Sequence, residues 1–325
     1  MYAYKIGISA EEHDQFVKNS SQTNLLQSSS WATVKDDWGN ERIGFYKDEK
    51  LVATASILIR PLPLGMTMFY IPRGPVMDYL NQELVTFVLT SLKKLAKQKR
   101  ALFIKFDPFI LFQHHQIDQE AVQNPDAETI VRHLQTAGCE WVGRTTDMAE
   151  NIQLRFQANI YAKDFSEANL SKKIRQSIRT AKNKGVQVRF GAHELLADFA
   201  DLMKKTEDRK SIHLRGIDYY RKLLDAYPQQ SYITLTTLNL KNRLADLEQE
   251  LETAQKALAN YPETVKPSKI DNTKKDIERL TDEINFLREE MKNGKETVAL
   301  SGTLALEFGS TSENIYAGMD EHFRR

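Results

Sequence analysis

Between residues 240 and 291 apolar side chains recur at intervals of four and three: Leu240, Leu244, Leu247, Leu251, Ala254, Leu258 and Tyr261, then Ile270, Ile277, Leu280, Ile284, Leu287 and Met291. This alternation is the a/d seam of a coiled coil. Pro262 and Pro267 separate the two runs, and a helix interior rejects proline because it lacks an N–H and clashes with the preceding turn. The spacing therefore predicts two antiparallel helices, each about 33 Å long at 1.5 Å per residue. The intervening positions are almost wholly Glu, Lys, Asp, Gln and Arg, which predicts a solvated outside. On spacing alone two readings stay open: a hairpin that meets a large partner, or one that packs on its own body or on a second copy.

A hairpin of this kind needs a body to carry it. At 325 residues the chain exceeds what one hydrophobic core serves, which predicts two domains. With 41% apolar and 27% charged residues it has the balance of a folded soluble protein. No run of about 18 apolar residues offers a membrane-spanning helix. The opening Met-Tyr-Ala-Tyr-Lys-Ile-Gly-Ile reads as strand rather than export signal. The single cysteine, Cys139, beside Trp141, reads as a small core residue in a reducing compartment, so a cytoplasmic location is expected. A net charge of +1 gives no global attraction to DNA or RNA, so any polyanion site must come from local clustering.

Residues 1–150 alternate between strand and helix patterns. Ser9-Ala10-Glu11-Glu12 has the form of a capping box opening a helix to Val17. Arg42–Tyr46 and Leu51–Arg60 flank the turn Lys47-Asp48-Glu49-Lys50 and predict a hairpin. Met66–Ile71 is a further strand, followed by the rigid corner Pro72-Arg73-Gly74-Pro75. A helix over 82–100 carries Leu84, Val88, Leu92 and Leu95 on one face, and a strand over 101–106 ends at Asp107-Pro108. A helix over 127–138 leads to a strand around Trp141. The second part repeats the texture: helix 170–184, strand 186–190, helices 195–204 and 219–227, and strand 232–238, which feeds the hairpin; a strand over Val298–Phe308 follows it. The reading is an α/β chain of two similar lobes, residues 1–150 and residues 151–239 with 297–325, with an inserted arm at 240–296.

Lys172, Lys173, Arg175, Arg179, Lys182 and Lys184 stand together without an acid among them. The sequence predicts one strongly cationic helix face over a buried stripe of Leu170, Ile174, Ile178 and Ala181, suited to RNA backbone or a diphosphate, or else merely solvated. Trp31 and Lys35 lie four apart on a short helix and share one side. In Arg215-Gly216-Ile217-Asp218-Tyr219 the arginine suits forked hydrogen bonding to phosphate and Gly216 permits close backbone approach; the alternative is a helix start with a surface Arg and a core Tyr. Asp107 reads either as a base or as a cap before Pro108. His114-His115 with Asp118 has no further ligand at suitable spacing, so no metal is expected. There is no Walker loop, no Gly-x-Gly-x-x-Gly and no serine elbow, so ATP hydrolysis, dinucleotide binding and serine hydrolysis lack support. The Gln/Arg-x-x-Gly-x-Gly/Ala loop that cradles coenzyme A is also absent, and no cofactor is expected.

Several longer words stand in order along the whole chain: Leu26-Gln27-Ser28 with Trp31 and Lys35; Tyr70-Ile71-Pro72-Arg73-Gly74-Pro75; Lys105-Phe106-Asp107-Pro108; Ser171 to Gly185 before a Val-rich strand; Leu214-Arg215-Gly216-Ile217-Asp218-Tyr219-Tyr220; the arm; and Asn314-Ile315-Tyr316-Ala317-Gly318-Met319-Asp320. Together they resemble the FemABX family, tRNA-dependent aminoacyltransferases that build peptidoglycan cross-bridges, and most closely its MurM/MurN branch. The resemblance implies two lobes of the GNAT acyltransferase type and an arm like that of seryl-tRNA synthetase. It implies transfer of Ala or Ser from aminoacyl-tRNA to the stem-peptide Lys of lipid II, or to a residue already added there. By this similarity Lys35, Arg215, Tyr219 and Tyr316 match positions that hold a lipid-linked or UDP-linked muropeptide, and Asp107 matches an acid once considered as base. The lipid substrate implies a peripheral visit to the inner face of the membrane.

Relatives continue beyond the Tyr-Ala-Gly word through a further helix, further strands and a late Lys implicated in catalysis, so the chain reads as C-terminally truncated. On that reading the missing part would pair with Val298–Phe308 and cover its apolar residues, and without it that strand has an open edge. A second functional reading is a non-catalytic tRNA-binding or coiled-coil interaction protein.

Overall fold

The computed structural model describes residues 1–325 apart from 117, 118, 145, 148–151, 293 and 325. The chain divides into two compact units: Met1–Asn159 with Lys222–Ser231 and Leu306–Glu313, and Ile160–Arg221 with Tyr232–Ala305 and Asn314–Arg325.

The first unit begins β1 (Tyr2–Ile6), α1 (Ala10–Lys18), α2 (Ser29–Val34), β2 (Gly39–Lys47), β3 (Lys50–Leu62), β4 (Met66–Arg73) and β5 (Val76–Met77). It continues α3 (Gln82–Gln98), β6 (Ala101–Pro108), the small pair β7 (Gln113–His114) and β8 (Val122–Gln123), and α4 (Ala127–Thr136). Its main sheet has the order β1-β2-β3-β4-β6, with β5 on β3. The expected hairpin is β2 and β3, joined by Asp48 and Glu49, whose positive φ values of 48° and 68° fit a two-residue turn that follows sheet twist. All pairings are antiparallel except β4 with β6, which runs parallel because α3 provides the crossover. The face of α3 read from its period, Leu84, Val88, Leu92 and Leu95, is buried against Phe45, Ile57, Phe69 and Ile71. At α1 the Glu12 N–H donates to Ser9 Oγ at 3.0 Å, but the Glu12 carboxylate accepts from Tyr46 OH at 2.7 Å instead of closing the capping box.

His13 on α1 is fully buried. Its Nε2 lies 2.6 Å from the Gln27 carbonyl and its Nδ1 2.7 Å from Thr54 Oγ1. A carbonyl only accepts, so Nε2 carries the proton of the neutral ring, while the one hydroxyl proton of Thr54 is contested between His13 Nδ1 and the Ile43 carbonyl, 3.0 Å from Oγ1. Burial lowers the pKa of His13, against the opposing pull of the Gln27 hydrogen bond and Asp14. The unfolded chain therefore binds this proton more readily, and stability is lost as pH falls below about 6.5. Between pH 7.5 and 5.5 the expected loss is up to about 1.4 kcal/mol. Urea midpoints across this window test it: His13→Gln should be less stable at pH 7.5 yet show a flatter profile, and parallel profiles would rule His13 out as the cause.

No strand forms around Trp141. Residues 139–144 lack regular structure; Gly143 has a φ of +88°, and Trp141 leaves the extended path to stack on Phe112 at 5.9 Å. Cys139 is half-buried against the core of this unit, where burial raises its thiol pKa and keeps it protonated.

The second unit brings α5 (Lys172–Asn183), β9 (Val186–Gly191), α6 (Leu196–Lys210), α7 (Ile217–Ala226) and β10 (Ser231–Asn239). There follow the helices α8 (Leu240–Ala259) and α9 (Pro267–Lys292), then β11 (Thr297–Phe308) and β12 (Thr311–Met319). Each of α7, β10, β11 and β12 keeps its own range although the division into units passes within or beside it. The sheet order is β12-β11-β10-β9. The open edge expected at Val298–Phe308 is absent, because Gly309 at φ +60° permits a tight turn and β12 returns beside β11; β10 lies on its other side. Val298, Leu304, Leu306 and Phe308 are buried.

The two seam runs form α8 and α9, packed antiparallel as the Arg288–Glu248 ion pair at 2.7 Å and the Tyr261–Thr273 hydrogen bond at 2.9 Å require. Leu240, Leu247, Leu280, Ile284 and Leu287 are fully buried at the base, where Leu238, Val298, Leu300 and Phe323 join them. Toward the turn Leu258, Ile270 and Ile277 stay half-buried, since two helices alone cover only one side of each other. No helix among the described residues is long and apolar enough to cross a membrane.

Candidate functional site

In the first unit Ser28 caps α2, accepting from the Trp31 N–H at 3.2 Å, and its hydroxyl meets Tyr227 OH at 2.5 Å. The short helix sets Lys35 over Trp31, with Nζ 5.2 Å from the ring, as their spacing of four predicts. Asp36 beside it pairs with Lys222, which holds its carboxyl below the usual range. Gln27, read only as part of a longer word, is a fully buried staple. It donates to Pro72 O at 2.6 Å and Ser56 O at 3.3 Å, and accepts from Ser56 N–H at 3.0 Å. A Cβ at Gly74 would fall 2.7 Å from the Gln27 amide carbon, so glycine is needed there for this approach.

The parallel register sets Pro72 beside Asp107 and Tyr70 beside Lys105. Asp107 accepts from Tyr70 OH at 2.8 Å and from the Arg73 backbone N–H at 2.7 Å. Arg73 has a φ of +53°, a strained conformation for a side chain with a Cβ, and the Asp107 hydrogen bond holds it. Its guanidinium reaches Leu154 O at 3.2 Å and lies 5.9 Å from the Phe109 ring. Burial raises the pKa of Asp107 despite the two donors and the nearby Arg73, which makes it a stronger base than an exposed carboxylate. In place of a cap before Pro108, the Asp107 carboxylate anchors the Arg73 corner, and Tyr70, unassigned from sequence, is its side-chain partner.

In the second unit three expected substrate residues come together. Arg215 lies 5.1 Å over the Tyr219 ring, and Tyr219 and Tyr316 meet edge to face at 6.3 Å. Tyr220 packs on Tyr316 at 5.1 Å and on Phe199 at 5.3 Å, which fixes the cluster to the core. Burial raises the pKa of Tyr219, Tyr220 and Tyr316, so all three stay neutral, while the Arg215 charge works against the rise. A Cβ at Gly216 would meet nothing within 4 Å, so the space above the loop is open. The result is an exposed guanidinium on an aromatic support with phenol groups beside it, a combination suited to a phosphate or carboxylate. Lys35 and Asp107 belong to the first unit and these three residues to the second.

The cationic helix differs from expectation in two ways. Its apolar stripe is not buried: Ile174 is 48% exposed, and Leu170, Ile178 and Ala181 are half-covered. Nor do its cations share one face. Arg175, Arg179 and Lys182 line a notch of about 420 Å³ with Glu167 and Ile178, whereas Lys173 and Lys184 line a groove of about 560 Å³ toward α8 and α9. At 3.6 residues per turn, positions 175, 179 and 182 lie opposite 173 and 184. Lys172 lines neither. Of the weak metal group, Asp118 lies outside the described residues, and no cluster of three potential ligands occurs among the rest.

Residues 8–325 match the family model described as the FemAB family. Lipid II:glycine glycyltransferase of Staphylococcus aureus strain USA300 is 29% identical, the alignment covering 98% of this chain and 77% of the relative. The protein of that name from strain MRSA252 is 28% identical over the same shares. The crystal structure of FemX superposes with a TM-score of 0.72 at 28% identity, covering 99% of this chain and 81% of that one. With the match running through every motif from Gln27 to Tyr316, the chain belongs to the FemAB family.

Proposed function

We propose that this chain is an aminoacyltransferase of peptidoglycan cross-bridge synthesis that moves a small amino acid from its tRNA ester to an amine of lipid II. The acceptor amine is the stem-peptide Lys or the first residue added to it. The observation that carries the reading is the Arg215–Tyr219–Tyr316 cluster, which assembles residues a hundred positions apart into an anion-binding surface in a chain of this family.

An aminoacyl ester is already activated, so aligning an amine against it supplies much of the acceleration; well-oriented groups are worth about 7–11 kcal/mol. What remains is one proton to remove from the amine and an oxyanion to stabilise. Arg215 holds the acceptor's phosphate and Tyr219 fixes the guanidinium from below. In the first unit, Lys35 matches a substrate-binding position and Asp107 an acid by the family resemblance, and burial raises the basicity of Asp107.

The donor is a small amino acid: the motif resemblance points to Ala or Ser, while the curated relatives bear the name of a glycine enzyme. Incubation with lipid II and radiolabelled Gly-, Ala- or Ser-tRNA in parallel tests both parts. One label should appear in lipid II; transfer from none of the three would sink the reading.

A further inference from the structure

Tyr220 carries a polar atom that the fold itself does not use. The residue is 1% exposed, and its hydroxyl has no hydrogen-bond partner among the described residues. Its ring packs on Phe199 at 5.3 Å, a contact that a phenylalanine would make equally well. An unpaired buried hydroxyl destabilises a fold, so its presence asks for a state in which it is paired. The acceptors around it are taken. The Glu207 carboxylate is turned to His213 at 3.3 Å and Lys204 at 3.7 Å. Tyr316 lies edge to face with Tyr220 at 5.1 Å, and both lone pairs of its phenol oxygen are filled, one by the Arg215 guanidinium and one by the Tyr219 hydroxyl. Arg215 is also the residue whose fork suits a phosphate. Once its N–H groups turn to an anion, one lone pair of Tyr316 opens, and the Tyr220 ring is already seated against it.

We propose that Tyr220 is a positioning residue for the acceptor: when Arg215 grips the phosphate of a lipid-linked or UDP-linked muropeptide, the Tyr220 hydroxyl donates to Tyr316 in its place. The assignment rests on the reading of Arg215 as the acceptor's phosphate ligand and adds to it a donor held in reserve. Tyr316 keeps two incoming hydrogen bonds throughout, and its own proton stays free for the ligand. The idle hydroxyl destabilises the free chain and is satisfied in the bound one, so Tyr220 adds to affinity without touching the ligand.

Tyr220→Phe removes the hydroxyl and keeps the ring, and the handover gives it opposite effects on folding and on binding. In urea denaturation the variant should be at least as stable as the parent. In calorimetric titration with UDP-linked muropeptide its Kd should rise about three- to tenfold, the worth of one neutral hydrogen bond. With lipid II as the varied substrate the change should fall on KM, with kcat nearly constant. Removing Arg215 reverses the effect on folding. In an Arg215→Met background Tyr316 is open in the free chain and Tyr220 donates to it, so adding Tyr220→Phe should raise the unfolding equilibrium constant about fivefold. In a Tyr316→Phe background, where no oxygen receives the proton, Tyr220→Phe should leave Kd unchanged. A Tyr220→Phe chain that binds the muropeptide as tightly as the parent, or whose change in stability is the same with and without Arg215, overturns the proposal even where aminoacyl transfer persists. A parent chain that neither binds the muropeptide nor transfers an amino acid to lipid II overturns the acceptor reading, and this proposal with it.

Discussion

Arg215→Met should lower kcat/KM for the lipid-linked acceptor by about 30- to 1,000-fold, the equivalent of about 2–4 kcal/mol for a pair of charge-assisted hydrogen bonds. The side chain is exposed, resting on the face of Tyr219 and hydrogen-bonded to Tyr316, so its loss should change folding stability by no more than about 1 kcal/mol. The effect is then assignable to binding. Arg215→Lys keeps the charge but not the planar fork, and a loss of about tenfold is expected. If Arg215 grips a phosphate remote from the reacting amine, the contact is equal in ground and transition states, and the change should appear in KM with kcat nearly constant. Steady-state kinetics with lipid II as the varied substrate decides this. A change below twofold in Arg215→Met would make the residue a surface arginine resting on a tyrosine.

How much of this cluster could be read from the sequence depends on the range of the interaction. Trp31 and Lys35 are four residues apart on one helix, and their contact follows from helix geometry. The hairpin of β2 and β3, the buried face of α3 and the seam of α8 with α9 follow from local periods in the same way. The partnership of Tyr70 with Asp107 does not, because it depends on the parallel register of β4 and β6, which no local pattern carries. The three hydrogen bonds of Gln27 are hidden for the same reason: the residue looks like any polar position until the sheet folds over it. At α5 the charges were legible but not their division, since nothing in a run of lysines and arginines says that grooves lie on opposite sides of the helix. Residues 311–319 form β12, which pairs with β11 and closes its edge; the word Asn314–Asp320 carries no strand period of its own, so the pairing is visible only in the fold.

The second large effect concerns Arg243, which the heptad pattern assigns to the solvated outside of α8 and which is only 4% exposed. Its guanidinium bridges the two helices, reaching Glu283 on α9 at 3.1 Å and Glu250 one turn pair along α8 at 3.3 Å. Glu283 is itself 18% exposed and has a longer contact to Arg279 at 3.6 Å. Arg243→Leu removes the cation and leaves the Glu283 carboxylate half-compensated in a poorly solvated place. Breaking a buried pair from one side costs about 3–5 kcal/mol, and the residual Arg279 contact should hold the loss to about 2–4 kcal/mol. Arg243→Leu/Glu283→Leu removes both charges and extends the apolar base around Leu240 and Leu287, so it should recover to within about 1 kcal/mol of the parent or exceed it. Urea denaturation of the two single variants and the double variant gives the coupling energy directly. Additive losses would show that the pair contributes nothing specific. Strong coupling with a recovered double variant would show that the ion pair sets how the two helices meet rather than how tightly they hold, because leucines can replace its energy but not its geometry.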